Sequence, residues 1–224
     1  MNRTRVLLAD DHTLILSGIS RLLGDKVELV GTVRDGRSLV KTVDLVLPNV
    51  VILDISMPLL NGIDAARQIK KAHPDIKIIF LTMHADPDYV TEALAAGGSG
   101  YLLKWSAEEE LAAAIDTVMR GDVYLTSELS RQLVEALGDK TIASSKMAHG
   151  LTEREREVLQ LIVEGRAAKE IADILHLSVK TVEFHKYRIM KRLGVKSTVE
   201  LARYALERQL LGFVIPPRDR EVPQ

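Results

Sequence analysis

Four apolar runs in the N-terminal half end in polar residues. RVLLA (5–9) is followed by Asp10 and Asp11, NVVIL (49–53) by Asp54, IKIIFL (76–81) by Thr82, and GYLL (100–103) by Lys104. If these runs are neighbouring parallel strands, their polar successors meet at one edge, where open α/β sheets gather ligands. Three carboxylates brought together repel one another unless a cation lies between them. Hard oxygens with open positions suit Mg2+, which keeps waters for a phosphate. With an ammonium from Lys104 and a hydroxyl from Thr82, the set is fit to stabilise charge on a phosphoryl group in transfer.

The positioning elements are legible as runs. Arg5–Ala9, Val27–Val33, Asn49–Leu53, Ile76–Leu81 and Gly100–Leu103 barely alternate, which predicts strands buried on both faces. Amphipathic stretches lie between and after them: His12–Leu23, Gly36–Val46, Gly62–Ala72, Pro87–Ala96 and Ala107–Met119. That alternation predicts an α/β domain, a doubly wound parallel sheet of five strands. Met57–Pro58 keeps the loop after Asp54 extended until Asn61–Gly62, because proline disfavours helix at the residue before it.

From Leu151 the pattern is helical only. Thr152 with Glu155 reads as a capping box, and Gly165 ends that helix. Ala168–Leu175 predicts a second helix. Ser178 caps a third that runs to about Leu193, and Ser197 a fourth that runs to about Gln209. Ile171, Ala172, Leu175, Val179 and Val182 have the spacing of a small core. Between the two halves, Leu129–Leu137 predicts a short helix, Gly138–Gly150 a linker, and the proline-rich end after Gly212 a loose tail.

Composition narrows the classes. The 224 residues hold 30 Lys+Arg, 31 Asp+Glu and no cysteine, which excludes disulfide scaffolds, Cys-ligated metal and thiol catalysis. No run is long enough for a transmembrane helix, and the N-terminus does not read as a signal peptide, so an intracellular protein without a membrane role is expected. Charge is split unevenly. Residues 1–125 carry net −4, residues 148–211 carry net +3, and residues 180–196 hold six basic residues against the single acid Glu183. A basic stripe on the second of two helices joined by a short turn describes a helix-turn-helix that meets a polyanion.

Asp10–Asp11, LDISMPLLNG (53–62), LTMHAD (81–86) and AAGGSGYLLK (95–104), followed by LTEREREVLQLIVEG and KEIADILHLSVKTVEFH, resemble a two-component response regulator of the NarL/FixJ class. The resemblance implies a receiver domain over 1–120 with the flavodoxin-like strand order 2-1-3-4-5. A linker with a short helix would cover 121–147, and a four-helix LuxR-type DNA-binding domain 148–211, its helix-turn-helix at about 168–187. The tail would be 212–224.

It also implies site roles. Asp54 would accept a phosphoryl group from a sensor histidine kinase. Asp10, Asp11, Asp54 and the backbone carbonyl of Ser56 would hold Mg2+. Thr82 and Lys104 would bind the phosphoryl group, and Tyr101 would be the aromatic switch. In the third helix Lys180, Thr181, Lys186, Arg188 and Lys191 are candidates for phosphate contacts, and Glu183, Phe184 and Tyr187 for base edges. Tyr187 has a second reading, as a core residue against the fourth helix. His12 either lines the acidic pocket or merely starts a helix. Glu153, Arg154 and Glu155 are expected to face solvent or to pair along their helix. Trp105, the single tryptophan, stands where the family commonly has a small or acidic residue.

The function implied is a phosphorylation-dependent transcriptional regulator that binds promoter DNA as a dimer in the cytoplasm. It would be no enzyme beyond its own phosphorylation and dephosphorylation. The alternative is a phosphorylation-independent regulator with a silent receiver. An aspartate-based phosphohydrolase is disfavoured, because Ser56 stands where its acid/base carboxylate belongs.

Overall fold

In the computed structural model, which describes residues 3–131, 150–208 and 210, the chain begins with five β/α units. They are β1 (Arg5–Ala9), α1 (Thr13–Leu23), β2 (Glu28–Val33), α2 (Gly36–Val46), β3 (Val50–Leu53), α3 (Gly62–Ala72), β4 (Lys77–Thr82), α4 (Pro87–Ala95), β5 (Gly100–Leu103) and α5 (Ala107–Met119). Every strand pair is parallel. The order is β2-β1-β3-β4-β5, extended at one edge by a sixth strand, β6 (Tyr124–Leu125). Tyr124 and Leu125 fall in the stretch 121–147 that is expected to be linker. They become a strand because the chain leaving α5 runs along the open edge of β5, where Tyr124 N–H donates to Ser99 O at 3.0 Å and Thr126 N–H to Tyr101 O at 3.2 Å.

Burial explains the apolar runs of four strands; β2, expected to be buried on both faces, is exposed or half-buried throughout because it is an edge strand of the sheet. β3 and β5 are buried at every position, and β1 and β4 at all but the first. Leu7, Val51, Ile78, Phe80 and Tyr101 face a core shared with α2, α3 and α4. Val6, Leu8, Ile52, Ile79, Leu81 and Leu102 face one shared with α1 and α5. Short polar side chains start three of these helices: Asp35 accepts from Ser38 N–H, Asn61 from Asp64 N–H and Asp86 from Asp88 N–H.

Among the described residues the C-terminal unit has four helices: α6 (Glu153–Val163), α7 (Ala168–Leu175), α8 (Val179–Leu193) and α9 (Thr198–Glu207). Both halves of the Thr152/Glu155 capping box are present, and Ser178 and Ser197 cap α8 and α9. Val158, Leu161, Ile171, Ala172, Leu175, Val182, Ile189 and Leu201 make the core. Val179, expected there, is 45% exposed, because as the first residue of α8 it sits above the turn whose inward position is Val182. Residues 127–131 are helical. The rest of the helix expected at Leu129–Leu137, most of the linker and the tail lie outside the described residues. Among the described residues no helix is long and apolar enough to cross a membrane.

Candidate functional site

The strand ends deliver their polar groups to one place. Asp10 and Asp54 are each 4% exposed, and Lys104 Nζ stands 2.7 Å from Asp10 Oδ2 and 2.8 Å from Asp54 Oδ2. One ammonium thus clamps two buried carboxylates. The other oxygen of Asp54 accepts from Ile55 N–H at 2.7 Å, and the other oxygen of Asp10 accepts from His12 N–H at 2.9 Å. Asp10 is shifted upward, first by burial and also by the charge of Asp54, with Lys104 opposing. Lys104 is shifted upward as well: burial pulls it down, and the two carboxylates pull it up by more.

Ligand atoms of Asp10, Asp11, His12 and Asp54 lie within 4.8 Å of one another. Asp11 Oδ1 is shielded from solvent without a hydrogen bond, although His12 Nδ1 is 2.8 Å away. An oxygen so placed, beside two more carboxylates, fits a hard divalent cation such as Mg2+. His12 therefore touches the acidic cluster and does not merely start α1.

Thr82 ends β4, fully buried, opposite Leu103 in register and so one residue short of Lys104 on the next strand. Tyr101 is fully buried, and its hydroxyl donates to His84 O at 2.8 Å. His84 stacks on Tyr89 and lies 2.9 Å from Ser56 Oγ through Nε2, which links the loops after β3 and β4. Spacing gave no hint of His84, because its partners come from other strands. Gly62 is required where it stands. It opens α3 with its N–H on Ile55 O at 2.9 Å, and a Cβ there would lie 2.1 Å from Asp54 O. Trp105, 55% exposed, follows Lys104 in a 3₁₀ turn.

On the second unit, α8 turns a mixed basic and aromatic face outward. Phe184 is 55% and Tyr187 63% exposed, so Tyr187 is not a core residue. Lys180, Glu183, Arg188 and Lys191 are exposed, and Thr181 and Lys186 half-buried. Two candidates are already paired: Lys186 with Glu183 at 2.6 Å, and Arg188, which lies over the Phe184 ring, with Glu155 at 3.3 Å. Thr181 Oγ1 is 2.8 Å from the capping hydroxyl of Ser178.

Glu155 corrects an expectation. Its side chain is 1% exposed rather than in solvent, and it binds Arg188 and Arg192 of α8. Burial pushes its carboxyl up, but the Thr152 N–H, Arg192 and Arg188 together hold it below the usual range. Arg154 pairs along α6 with Glu157 and also reaches Leu175 O at 2.8 Å.

Comparison with known proteins agrees with this division. The model of the response regulator receiver domain matches residues 6–116, and that of the bacterial regulatory proteins of the luxR family matches residues 149–205. The oxygen regulatory protein NreC of Staphylococcus carnosus is 40% identical over 216 residues, covering 93% of this chain and 100% of that one. NreC of Staphylococcus epidermidis is 40% identical over 217 residues, with the same coverage. A structure of the RcsB response regulator from Salmonella typhimurium is 33% identical, covers 91% of this chain and 98% of that one, and superposes with a TM-score of 0.58. Two matched domains in this order, the clamp at the sheet edge and the end-to-end likeness to NreC place the chain among the two-component response regulators of the NarL/FixJ class, DNA-binding regulators in which a receiver domain precedes a LuxR-type domain.

Proposed function

We propose that Asp54 accepts a phosphoryl group from a sensor histidine kinase and that this controls promoter binding by α8. The observation that carries the reading is Lys104 Nζ held between Asp10 and Asp54 at the carboxyl edge of the sheet. Asp54 Oδ2 attacks the phosphorus of the kinase's phosphohistidine, the P–N bond breaks, and the imidazole leaves as the acyl phosphate forms. Lys104 is then left to pair with the phosphoryl oxygens, and Thr82 offers them a hydroxyl. Asp10, Asp11, Asp54 and the Ser56 carbonyl would hold Mg2+, which supplies charge neutralisation at the transferring group. Tyr101 and the loop it grips through His84 O would follow Thr82, so a local charge change reaches α4. Hydrolysis of the phosphoaspartate is the protein's own reset, and no external product turns over.

On the DNA side, Lys180, Thr181, Lys186, Arg188 and Lys191 contact phosphates and set register, while Glu183, Phe184 and Tyr187 meet base edges. RcsB has been solved as dimers bound to DNA, and also with a promoter in the presence of the phosphomimetic BeF3-. A homodimer on duplex DNA, acting in the cytoplasm, is the corresponding reading here.

The test is mass measurement of the protein after exposure to a small-molecule phosphodonor with Mg2+. Wild type gains one phosphoryl group and Asp54→Asn gains none. Equal uptake by the two proteins sinks the assignment. Phosphorylated wild type whose DNA affinity and oligomeric state are both unchanged sinks the control.

A further inference from the structure

β6 and the helical turn after it wall in Tyr101. Without them β5 would be the edge of the sheet. Leu125 stands beside Tyr101 in parallel register, so the two side chains share a face. Thr126 N–H donates to Tyr101 O at 3.2 Å. In the turn 127–131, Leu129 is fully buried in the core that also holds Tyr101, Tyr89, Val90 and Phe80. The Tyr101 ring lies 6.2 Å from that of Phe80, and its hydroxyl donates to His84 O at 2.8 Å. Tyr101 is thus held from one side by the loop after Thr82 and closed in from the sheet edge by the segment 124–129.

That segment is weakly held. Its strand is two residues long, and its other ladder bond runs from Tyr124 N–H to Ser99 O at 3.0 Å. The Tyr124 hydroxyl ties its start to α5, 2.8 Å from Glu110 Oε2. Beyond that tie, Leu125 is half-buried and Leu129 buried. Thr126 is 5% exposed, and its Oγ1 is shielded from solvent with no hydrogen-bond partner among the described residues, which costs stability. Few ladder bonds, two leucines and an unpaired hydroxyl set the free energy of local opening below that of the central strands. When the Tyr101 ring leaves its seat, the two leucines lose part of the surface they pack on, and the segment loosens. When the segment loosens, Tyr101 stands on an open sheet edge.

We propose that Thr126 and Leu129 are positioning residues for Tyr101: the closed segment 124–129 and the inward ring favour each other, so the first turn of the linker senses the state of Asp54. This rests on the reading of Asp54 as phosphoacceptor and Tyr101 as the aromatic switch. A phosphoryl group on Asp54 draws in Thr82 and the loop that holds the Tyr101 hydroxyl, and the closed segment is thereby tightened. Coupling between sites is reciprocal, so loosening the segment weakens the phosphorylated state by the same factor. The chain that leaves residue 131 toward the DNA-binding domain is therefore anchored more firmly when Asp54 is phosphorylated.

The experiment uses the full chain with the phosphoryl analogue BeF3- and Mg2+, as wild type, Leu129→Ala, Thr126→Pro and Val118→Ala. Thr126→Pro removes the N–H on Tyr101 O without opening a cavity, and it decides the matter if Leu129→Ala does not fold. Val118→Ala, fully buried on the other face of the sheet, controls for lost stability alone. Two quantities are read: amide hydrogen exchange over residues 124–130, and the analogue concentration for half-saturation, followed by the fluorescence of Trp105 beside Lys104. In wild type the analogue is expected to slow exchange over 124–130 by at least about 5-fold, the lower end of ordinary coupling. Leu129→Ala and Thr126→Pro should each need at least about 5-fold more analogue, and Val118→Ala the same amount as wild type. Exchange over 124–130 that the analogue leaves unchanged in wild type overturns the proposal. So does half-saturation equal to wild type in the folded segment variants, or an equal shift in Val118→Ala. If wild type does not bind the analogue at all, the phosphoacceptor reading fails instead.

Discussion

At the scale of single residues the protein turns on one ammonium among carboxylates. Lys104 is 7% exposed in its side chain and Asp10 and Asp54 are 5% and 4%, so solvent screens their interaction little. Lys104→Met leaves two buried carboxylates facing each other. The expected cost is about 3 kcal/mol in urea unfolding without divalent cation, in the range for breaking a buried pair. Millimolar Mg2+ should recover part of it, because a divalent ion replaces the missing charge. A loss below about 0.5 kcal/mol would mean that water reaches the pair freely. On the other domain, exposure separates readers from core. Tyr187→Ala should leave the melting temperature unchanged and alter the preferred base at one position, at a cost of about 1–3 kcal/mol for a good base contact. Site selection on random duplexes checks this, and an unaltered preference would remove Tyr187 from the reading face.

Elements set these residues in place through their ends. β3 stops at Leu53, so Asp54 falls on the edge of the sheet, and α3 can start eight residues later only because Gly62 lets its first turn touch Asp54 O. Gly62→Ala should therefore destabilise by about 1–3 kcal/mol, the usual range for overpacking. It should also lower the phosphorylation rate, since the backbone that must yield carries Asp54; a variant as stable and as quickly phosphorylated as wild type would contradict that.

In the C-terminal unit, Glu155 joins the start of α6 to α8 through Arg188 and Arg192. Its carboxyl is held below the ordinary Glu value, so the folded state favours the ionised form. The resulting stability is full above the unfolded-state pKa and is lost as pH falls through the lower folded-state value. Acid unfolding should thus steepen below the ordinary carboxylate range, and Glu155→Gln should flatten that limb while lowering stability at neutral pH. Parallel acid limbs in the two proteins would argue against the anchor.

On the scale of the whole molecule, two units, one with a core on each face of its sheet and one with a single helical core, are joined by a polar interface and one leucine. The C-terminal unit has its own caps and core, so a fragment spanning residues 148–211 should bind duplex DNA without the receiver. Six basic residues between 180 and 196 should make that binding steeply salt-dependent, at close to 0.9 powers of salt per phosphate neutralised. Fluorescence anisotropy from low to physiological salt measures the slope. A slope near zero would mean that α8 does not meet a polyanion. Lys180→Ala and Lys191→Ala, exposed and unpaired with acid among the described contacts, should each reduce the slope by about one phosphate.

The amino-acid sequence alone determined the α/β and all-helical halves, the strand ends that carry Asp10, Asp54, Thr82 and Lys104, the Thr152/Glu155 capping box and the basic helix. Each is local: burial on both faces writes itself as an unbroken apolar run, caps sit at fixed offsets, and a strand of known end points fixes which residue stands at the sheet edge. The tertiary structure decided the rest. β6 is two residues long, too short for periodicity to register, and exists because the β5 edge was open. Val179 and Tyr187 lie outside the core because only the packing angle of α8 selects which of its apolar residues turn inward. Glu155 is expected to face solvent or pair along its helix, and nothing in the spacing singles out Asp64 or Gln160, yet each is at most 1% exposed. Besides near neighbours on the chain, each has a partner from another element 33 to 103 residues away, a distance over which spacing carries no information.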